Sequence, residues 1–226
     1  MVFFLLFGYN MGCKKRTKGD SLMYLKQREG WIEVITGPMF AGKTEELIRR
    51  VKRLEYAKQN ILVFKPTLDN RYAQNEVVSH NNNRTRSINI RQASEIMKYV
   101  DSETNVVAID EIQFLDEEAV DICEYLADHG IRVIVSGLDR NFRGEPFSFM
   151  PKLLALAEDV TKLSAICVVC HTPATRTQRI VNGKPANYHD PIILVGAQDS
   201  YEARCRHCHQ VPGKPAVYDK LEKDDE

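Results

Sequence analysis

Four short, mainly apolar runs divide the first two thirds of the chain, at residues 32–35, 61–64, 106–109 and 131–135. A run such as 106–109, in which every residue is apolar, is typical of a strand buried on both faces of a parallel sheet. Between the first two runs, apolar residues recur at positions 47, 48, 51 and 54, which is the spacing of one helical face. Further helices are predicted over 93–99, 116–129 and 151–157. Strands that alternate with helices predict an α/β fold with a mainly parallel sheet and helices on both faces.

The remaining segments suggest how the chain is organised. Residues 67–87 are polar and are predicted to form a mobile loop over the carboxyl end of the sheet. The composition changes after Leu163, where cysteine pairs begin. We therefore expect an N-terminal extension over 1–22, an α/β domain over 23–163, a small loop-rich domain over 164–218 and an acidic tail over 219–226.

The strongest local motif follows the first apolar run. Gly37, four further residues, Gly42, Lys43 and Thr44 form the Gly-x-x-x-x-Gly-Lys-Thr phosphate loop. Such a loop wraps its backbone N–H groups around a polyphosphate at a helix N-terminus, while the lysine reaches the outer phosphates and the threonine a metal ion. The predicted phosphate-binding set is Gly37, Pro38, Met39, Phe40, Ala41, Gly42, Lys43 and Thr44. A strand before the loop and a helix after it predict a P-loop NTPase domain.

Two adjacent carboxylates, Asp110 and Glu111, follow the run 106–109. Ligands of open parallel sheets bind outside the carboxyl ends of the strands, so this pair is expected at the phosphate site. Asp110 fits the acidic position that holds magnesium, directly or through water, together with Thr44. Glu111 is then available as a general base for an acceptor hydroxyl. The alternative is that both carboxylates belong to a solvated turn.

Two C-x-x-C pairs, Cys167/Cys170 and Cys205/Cys208, indicate a metal site. Four thiolates suit a tetrahedral structural zinc, which would staple a unit too small to build its own core. Two redox-active pairs are the alternative, and the neighbouring histidines 171, 207 and 209 are possible substitute ligands. The remaining Cys123 falls on the inward face of a predicted helix.

The net charge and the apolar start of the chain limit the classes of function and the locations that fit this sequence. The 226 residues carry a formal net charge of zero, so no overall charge favours nucleic acid or an anionic membrane. The apolar start, residues 1–9, is too short to span a bilayer, and we expect residues 1–22 to be a disordered upstream extension with Met23 as the natural start. The nucleotide loop predicts a cytoplasmic protein, and because disulfides are rare in that compartment the paired C-x-x-C motifs favour a metal.

Aromatic residues near the predicted site suggest a planar ligand. Phe40, Phe114, Phe142, Phe147 and Tyr201 fall close to the predicted carboxyl end of the sheet, where a base would stack among them. Arg143 is expected to add positive charge near the phosphates.

These residues together resemble the thymidine kinases that carry a zinc-bound lasso, with a RecA-like P-loop domain. The resemblance runs from Trp31 to Pro212. It rests on the phosphate loop, the segments 65–72, 110–114 and 137–147, both cysteine pairs, and Tyr201 four residues before Cys205.

The resemblance implies ATP-dependent phosphorylation of the 5′-hydroxyl of thymidine and deoxyuridine, giving dTMP in DNA precursor salvage, with magnesium and one structural zinc. It also implies a homotetramer that is inhibited by dTTP and binds neither nucleic acid nor membrane. Glu111 matches the general base, and Gln113, Asp69 and Arg71 match residues that approach the ATP phosphates. The matching thymidine-binding set is Met39, Phe114, Leu138, Phe142, Phe147, Ile193, Val195, Gly196 and Tyr201.

Two other functions are compatible with a phosphate loop. One is an ATPase motor or switch whose zinc unit grips nucleic acid, which predicts hydrolysis stimulated by DNA or RNA. The other is a non-catalytic nucleotide sensor, which predicts binding without turnover.

Overall fold

The computed structural model of the protein describes residues 29–67, 76–78, 84–193 and 200–215. The predicted N-terminal extension 1–22 and the acidic tail 219–226 lie outside the described residues.

A parallel sheet of six strands forms the centre of the larger part of the chain. Its order is β5-β2-β6-β7-β1-β8, and every pairing in it is parallel. In chain order, the strands up to residue 162 are β1 Ile32–Thr36, β2 Ile61–Pro66, β3 Glu76–Val78, β4 Arg84–Arg86, β5 Ile88–Ile90, β6 Val106–Ile109, β7 Arg132–Gly137 and β8 Asp159–Lys162. The predicted α/β class with a parallel sheet is confirmed.

Helices cover both faces of this sheet. They are α1 Lys43–Tyr56, α2 Glu118–Asp128 and α3 Met150–Leu156, with 3₁₀ helices at Ala93–Lys98 and Ile112–Phe114. Successive strand residues point to opposite faces. Ile35, Ala108 and Ile134 accordingly pack with the apolar face of α1, whereas Val34, Val107 and Val133 share the larger core with α2 and α3. This two-sided burial explains why the strands are mainly apolar runs rather than alternating ones.

The segment 67–87 differs from the predicted loop. Its described residues include β3 and β4, which pair antiparallel, and β5 follows at once beside β2. Pro66, expected to end a strand, lies within β2 and is in register with Ile90. These strands were not predicted because their composition is polar. Short edge segments are held in place by pairing with a neighbouring strand rather than by apolar side chains.

The chain after residue 164 forms small antiparallel sheets. Their strands are β9 Ala165–Ile166, β10 Pro173–Ala174, β11 Arg176–Val181, β12 Lys184–Pro185 and β13 Ser200–Arg204. The predicted Asn-Gly turn joins β11 to β12, with φ of 49° at Asn182 and 75° at Gly183, as a type I′ hairpin requires. Of the strand predicted over 192–195, residues 192 and 193 are not in a strand, and the other two lie outside the described residues.

This smaller unit has little apolar material of its own. Its buried cluster consists of three alanines and two cysteines, Ala165, Ala174, Ala203, Cys167 and Cys205. By contrast, Cys123 lies on the inward face of α2 and is fully buried in the core, as expected. Within the described ranges, none of the helices has the length and apolar character needed to cross a membrane.

Candidate active site at the carboxyl end of the sheet

The phosphate loop connects β1 to α1, as the motif predicts. Gly42 is the residue immediately before α1, and its carbonyl accepts the first helical hydrogen bond from Glu46 N at 3.0 Å. Gly37 has φ of 146°, and a Cβ there would lie 2.5 Å from the carbonyl oxygen of Leu163. Only glycine fits this position, because both the backbone conformation and the space exclude a side chain. The loop therefore runs directly into the N-terminus of α1, where the helix dipole favours an anion.

Lys43 is buried at the start of α1, and its Nζ donates to the carbonyl of Pro38 at 2.9 Å. Burial lowers the pKa of this amine, and the nearby Glu111 and Asp110 carboxylates act in the opposite direction. The lysine is thus held across its own loop, close to the carboxylates at the end of β6.

Asp110 ends β6 with its carboxylate buried beside Thr44. The Thr44 Oγ1 lies 3.3 Å from Oδ2 and 3.5 Å from Oδ1 of Asp110, and the Ser136 hydroxyl also donates to this carboxylate. Burial, with the Glu111 charge as the second cause, raises the pKa of Asp110 to about 6. A buried carboxylate with a raised pKa and a hydroxyl beside it is a fitting oxygen donor set for Mg²⁺. Ser136 was missed in the sequence, where nothing separates it from other strand residues.

Glu111 has an unusual backbone. Its φ of 52° and ψ of 41° place a non-glycine residue in the left-handed region, which costs about 1–2 kcal/mol. Gln113 Nε2 donates to Glu111 Oε2 at 2.6 Å. Strained backbone held by its surroundings is common where a side chain must be aimed at a reacting group.

Most of the predicted thymidine-binding residues in the described ranges lie in the part of the chain that forms the parallel sheet. Phe114 and Phe147 meet edge to face at 5.8 Å, and Met39 and Leu138 share the same apolar cluster. Phe142 is buried nearby, with the Arg179 guanidinium 5.4 Å from its ring centroid. Tyr201, on β13, is half-buried and in register with Arg179. Two other predicted contacts are largely exposed, namely Phe40 and Ile193.

Arg143 joins two parts of the chain. Its Nη2 donates to the carbonyl of Asp190 at 2.9 Å, and its guanidinium lies 4.8 Å from the Tyr188 ring centroid. Its expected place near the phosphates stays a prediction. Asp69, Arg71, Val195 and Gly196 lie outside the described residues, so their roles also stay predictions.

The four paired cysteines converge on one point. All four are free cysteines, and their Sγ atoms lie within 4.8 Å of one another. A tetrahedral zinc with Zn–S bonds of about 2.3 Å separates its ligands by about 3.8 Å, so the four sulfurs fit one ion. The N–H of Cys208 donates to Cys205 Sγ at 3.4 Å and lowers the pKa of the Cys205 thiol. This arrangement supports a zinc site more than two separate redox pairs.

The cysteine unit contacts the phosphate loop directly. Thr177 Oγ1 on β11 accepts a hydrogen bond from Met39 N at 3.0 Å, and Ala41 packs against the cysteine cluster. His209 Nε2 lies 2.9 Å from the Phe142 carbonyl oxygen. Sequence reasoning missed Thr177, since a single threonine in a strand gives no signal of its own. The cysteine unit therefore forms part of the candidate site.

The chain shows similarity to a protein family and to a solved structure. Among solved structures, the chain is similar to domain III of the replication initiation protein DnaA from Thermotoga maritima, with 13% sequence identity and a TM-score of 0.37, over 62% of this chain and 57% of that one. The chain thus spans less than two thirds of that domain's length. The family model described as "Thymidine kinase" matches residues 30–209, which include the phosphate loop, the Asp110–Glu111 pair and all four clustered cysteines. Because this match covers most of the chain, the protein belongs to the thymidine kinase family.

Proposed function

We propose that the protein transfers the γ-phosphoryl group of ATP to the 5′-hydroxyl of thymidine and releases dTMP and ADP. One observation carries this proposal: the phosphate loop and the Asp110–Glu111 pair meet in a single site, with Thr44 Oγ1 3.3 Å from the Asp110 carboxylate. Membership of the thymidine kinase family supports the nucleoside acceptor.

In the proposed reaction, the 5′-oxygen forms a bond to the γ-phosphorus as the bond from that phosphorus to the β,γ-bridging oxygen breaks. The proton of the hydroxyl passes to the Glu111 carboxylate, and ADP leaves. Lys43 and the loop N–H groups stabilise the negative charge on the phosphates, and this kind of stabilisation supplies much of the rate in phosphoryl transfer. Magnesium, held by Thr44 and Asp110, would neutralise phosphate charge when bound.

The base would lie among the apolar residues Met39, Leu138, Phe142 and Phe147. The cysteine unit borders this region through Thr177 and His209. A bound zinc would therefore contribute by stabilising the unit that forms one side of the site. Four cysteine ligands leave no open position on the ion, so it has no catalytic part. Asp69 and Arg71 are proposed to approach the phosphates, and the backbone around 192–197 is proposed to grip the base.

The proposal extends to acceptance of deoxyuridine, inhibition by dTTP, a homotetrameric state and a cytoplasmic location. These extensions rest on the family resemblance.

The test is to incubate the protein with ATP, magnesium and each nucleoside in turn, and to measure the 5′-monophosphate. We expect product from thymidine, and a loss of about 10²–10⁴-fold in kcat for Glu111→Gln, the range typical of a general base. Glu118→Gln, at an exposed position on α2, is the matched control and should keep wild-type turnover. ATP hydrolysis stimulated by nucleic acid, without a nucleoside product, would instead support the motor, and nucleotide binding without either product would support the sensor.

A further inference from the structure

The side chain of Gln113 is almost completely buried, with only 2% of its surface exposed, and both ends of its amide are engaged. Its Nε2 donates to Glu111 Oε2 at 2.6 Å, and its Oε1 accepts from the backbone N–H of Leu138 at 3.1 Å. From this bridge we infer that Gln113 is a positioning residue, which aims the Glu111 carboxylate at the acceptor hydroxyl. The inference rests on the proposed function, since it presupposes that Glu111 is the general base.

The direction of the amide follows from its partners. The Leu138 N–H can only donate, so the oxygen of Gln113 must face it, and the NH₂ group must face Glu111. The backbone at the end of β7 therefore fixes which end of the amide meets the carboxylate. One carboxylate oxygen, Oε2, is occupied by this bond, which leaves Oε1 for the substrate.

Gly137 provides the space for this arrangement. A Cβ built on Gly137 would lie 2.6 Å from Gln113 Oε1, with Met150 Sδ at 3.2 Å and an Ile112 methyl at 3.3 Å. The backbone of Gly137 does not require glycine, because its φ is outside the left-handed region. The absence of a side chain there is thus explained by the close approach of the Gln113 amide.

The Glu111 carboxylate needs the Gln113 hydrogen bond because the backbone conformation of Glu111 is unfavourable. It is a non-glycine residue in the left-handed region, directly before a 3₁₀ helix of three residues, Ile112–Phe114. One turn of 3₁₀ helix is a weak scaffold. The charges closest to the carboxylate include Lys43 and Asp110, which oppose one another. The Gln113 hydrogen bond is directional, so it can fix the carboxylate where these opposing charges do not.

The family resemblance implies a different role, in which Gln113 contacts the ATP phosphates. Burial and two occupied amide ends favour the bridge, and the two roles predict different kinetics. A phosphate contact acts on ATP binding whether or not the base is present. A positioning contact acts on kcat, and only when there is a carboxylate at 111 to position.

The decisive substitution is Gln113→Glu. When ionised, a carboxylate at 113 still accepts from Leu138 N–H, so the buried backbone partner is kept, but it cannot donate to Glu111 and repels its charge. We expect kcat to fall about 10–100-fold with the KM for ATP within about threefold, which is the scale of a misplaced reacting group. Gly137→Ala, which displaces the same amide, should lower kcat in the same way. Gln92→Glu, at an exposed position, is the matched control and should leave kcat unchanged.

A double-mutant cycle completes the experiment. In the Glu111→Gln background, Gln113→Glu should change kcat by less than about twofold, because there is no base left to aim. An equal loss of kcat in both backgrounds, or a raised KM for ATP with kcat retained, would overturn the inference. Thermal unfolding of each variant shows whether the fold is kept. If Glu111→Gln lowers kcat as expected but Gln113→Glu and Gly137→Ala leave it unchanged, only the inference fails; if the wild-type protein makes no dTMP, the proposed function fails with it.

Discussion

Replacing Glu33 by glutamine should destabilise the protein strongly, although this residue lies far from the chemistry. Glu33 is a buried carboxylate on β1, and its two oxygens accept from three donors. Arg50 Nη1 lies at 2.5 Å, Arg132 Nε at 2.6 Å and Trp31 Nε1 at 2.7 Å. The Arg132 guanidinium also lies 4.8 Å from the centroid of the Trp31 ring. The single carboxylate thus ties β1 to α1 and β7.

The size of the effect follows from what remains after the substitution. Removing one partner of a fully buried ion pair costs about 3–5 kcal/mol, because the other charge is left uncompensated. Here the arginines keep 11% and 17% of their side-chain surface exposed, and Arg50 retains Glu46 and Asp159 as partners. We therefore expect a loss of about 2–3 kcal/mol for Glu33→Gln. In a chain of this size that lowers Tm by about 4–12 °C.

Circular dichroism during thermal and urea unfolding, with zinc present and no nucleotide, measures this loss. The matched control is Asp159→Asn, which removes another carboxylate from the same network. The Asp159 side chain is 54% exposed and lies 3.2 Å from Arg50, so its removal should cost less than about 1 kcal/mol. Equal losses for the two variants would refute the argument that burial, and not the number of ion pairs, sets the stabilisation.

Three further predictions follow from the site. Cys167→Ser should reduce bound zinc from about one ion per chain to near zero by elemental analysis. It should also speed amide exchange over 164–193 and 200–215 but not over α1, residues 43–56, because the alanine-rich cluster cannot hold the unit alone. In the absence of magnesium, Asp110→Asn should stabilise the protein at pH 7, by up to about 3 kcal/mol in urea unfolding, and not at pH 4. The pKa of Asp110 is raised to about 6 in the folded protein, so the free energy of unfolding falls as the pH rises from about 4 to about 6, and asparagine removes this loss. A stabilisation by Asp110→Asn that is the same at pH 4 and pH 7 would contradict the prediction. Gly37→Ala should weaken ATP binding at least about tenfold by calorimetric titration, since its Cβ would lie 2.5 Å from the Leu163 oxygen. Gly183→Ala is the control, because Gly183 also has a positive φ but has open space around it, and it should leave ATP binding unchanged.

The phosphate loop and each cysteine pair could be located in the sequence because each is local. A strand, a loop and a helix contiguous in the chain make up the first, so the motif already contains its own structural context. The cysteine pairs carry their spacing in the same way. The buried strands could be predicted because burial on both faces demands apolar residues at consecutive positions.

Other parts of the site depend on residues brought together from distant positions. Nothing in the sequence distinguishes Ser136 and Thr177 from other strand residues. In the fold, β7 places Ser136 against Asp110, and β11 places Thr177 against Met39 N. Strand β8 is polar and largely exposed, and it is a strand because it pairs with β1.

The class of fold, the phosphate loop, the two cysteine pairs and the carboxylate pair that follows β6 could therefore be predicted from the sequence. Two buried polar contacts appear only once the chain is folded. Glu33, which interrupts an apolar run, is the buried partner of Arg132, 99 residues away, and the Gln113 amide bridges Glu111 and Leu138. The physical reason is that apolar periodicity reports how a segment meets its immediate surroundings, while the partner of a buried polar group is set by how distant segments pack.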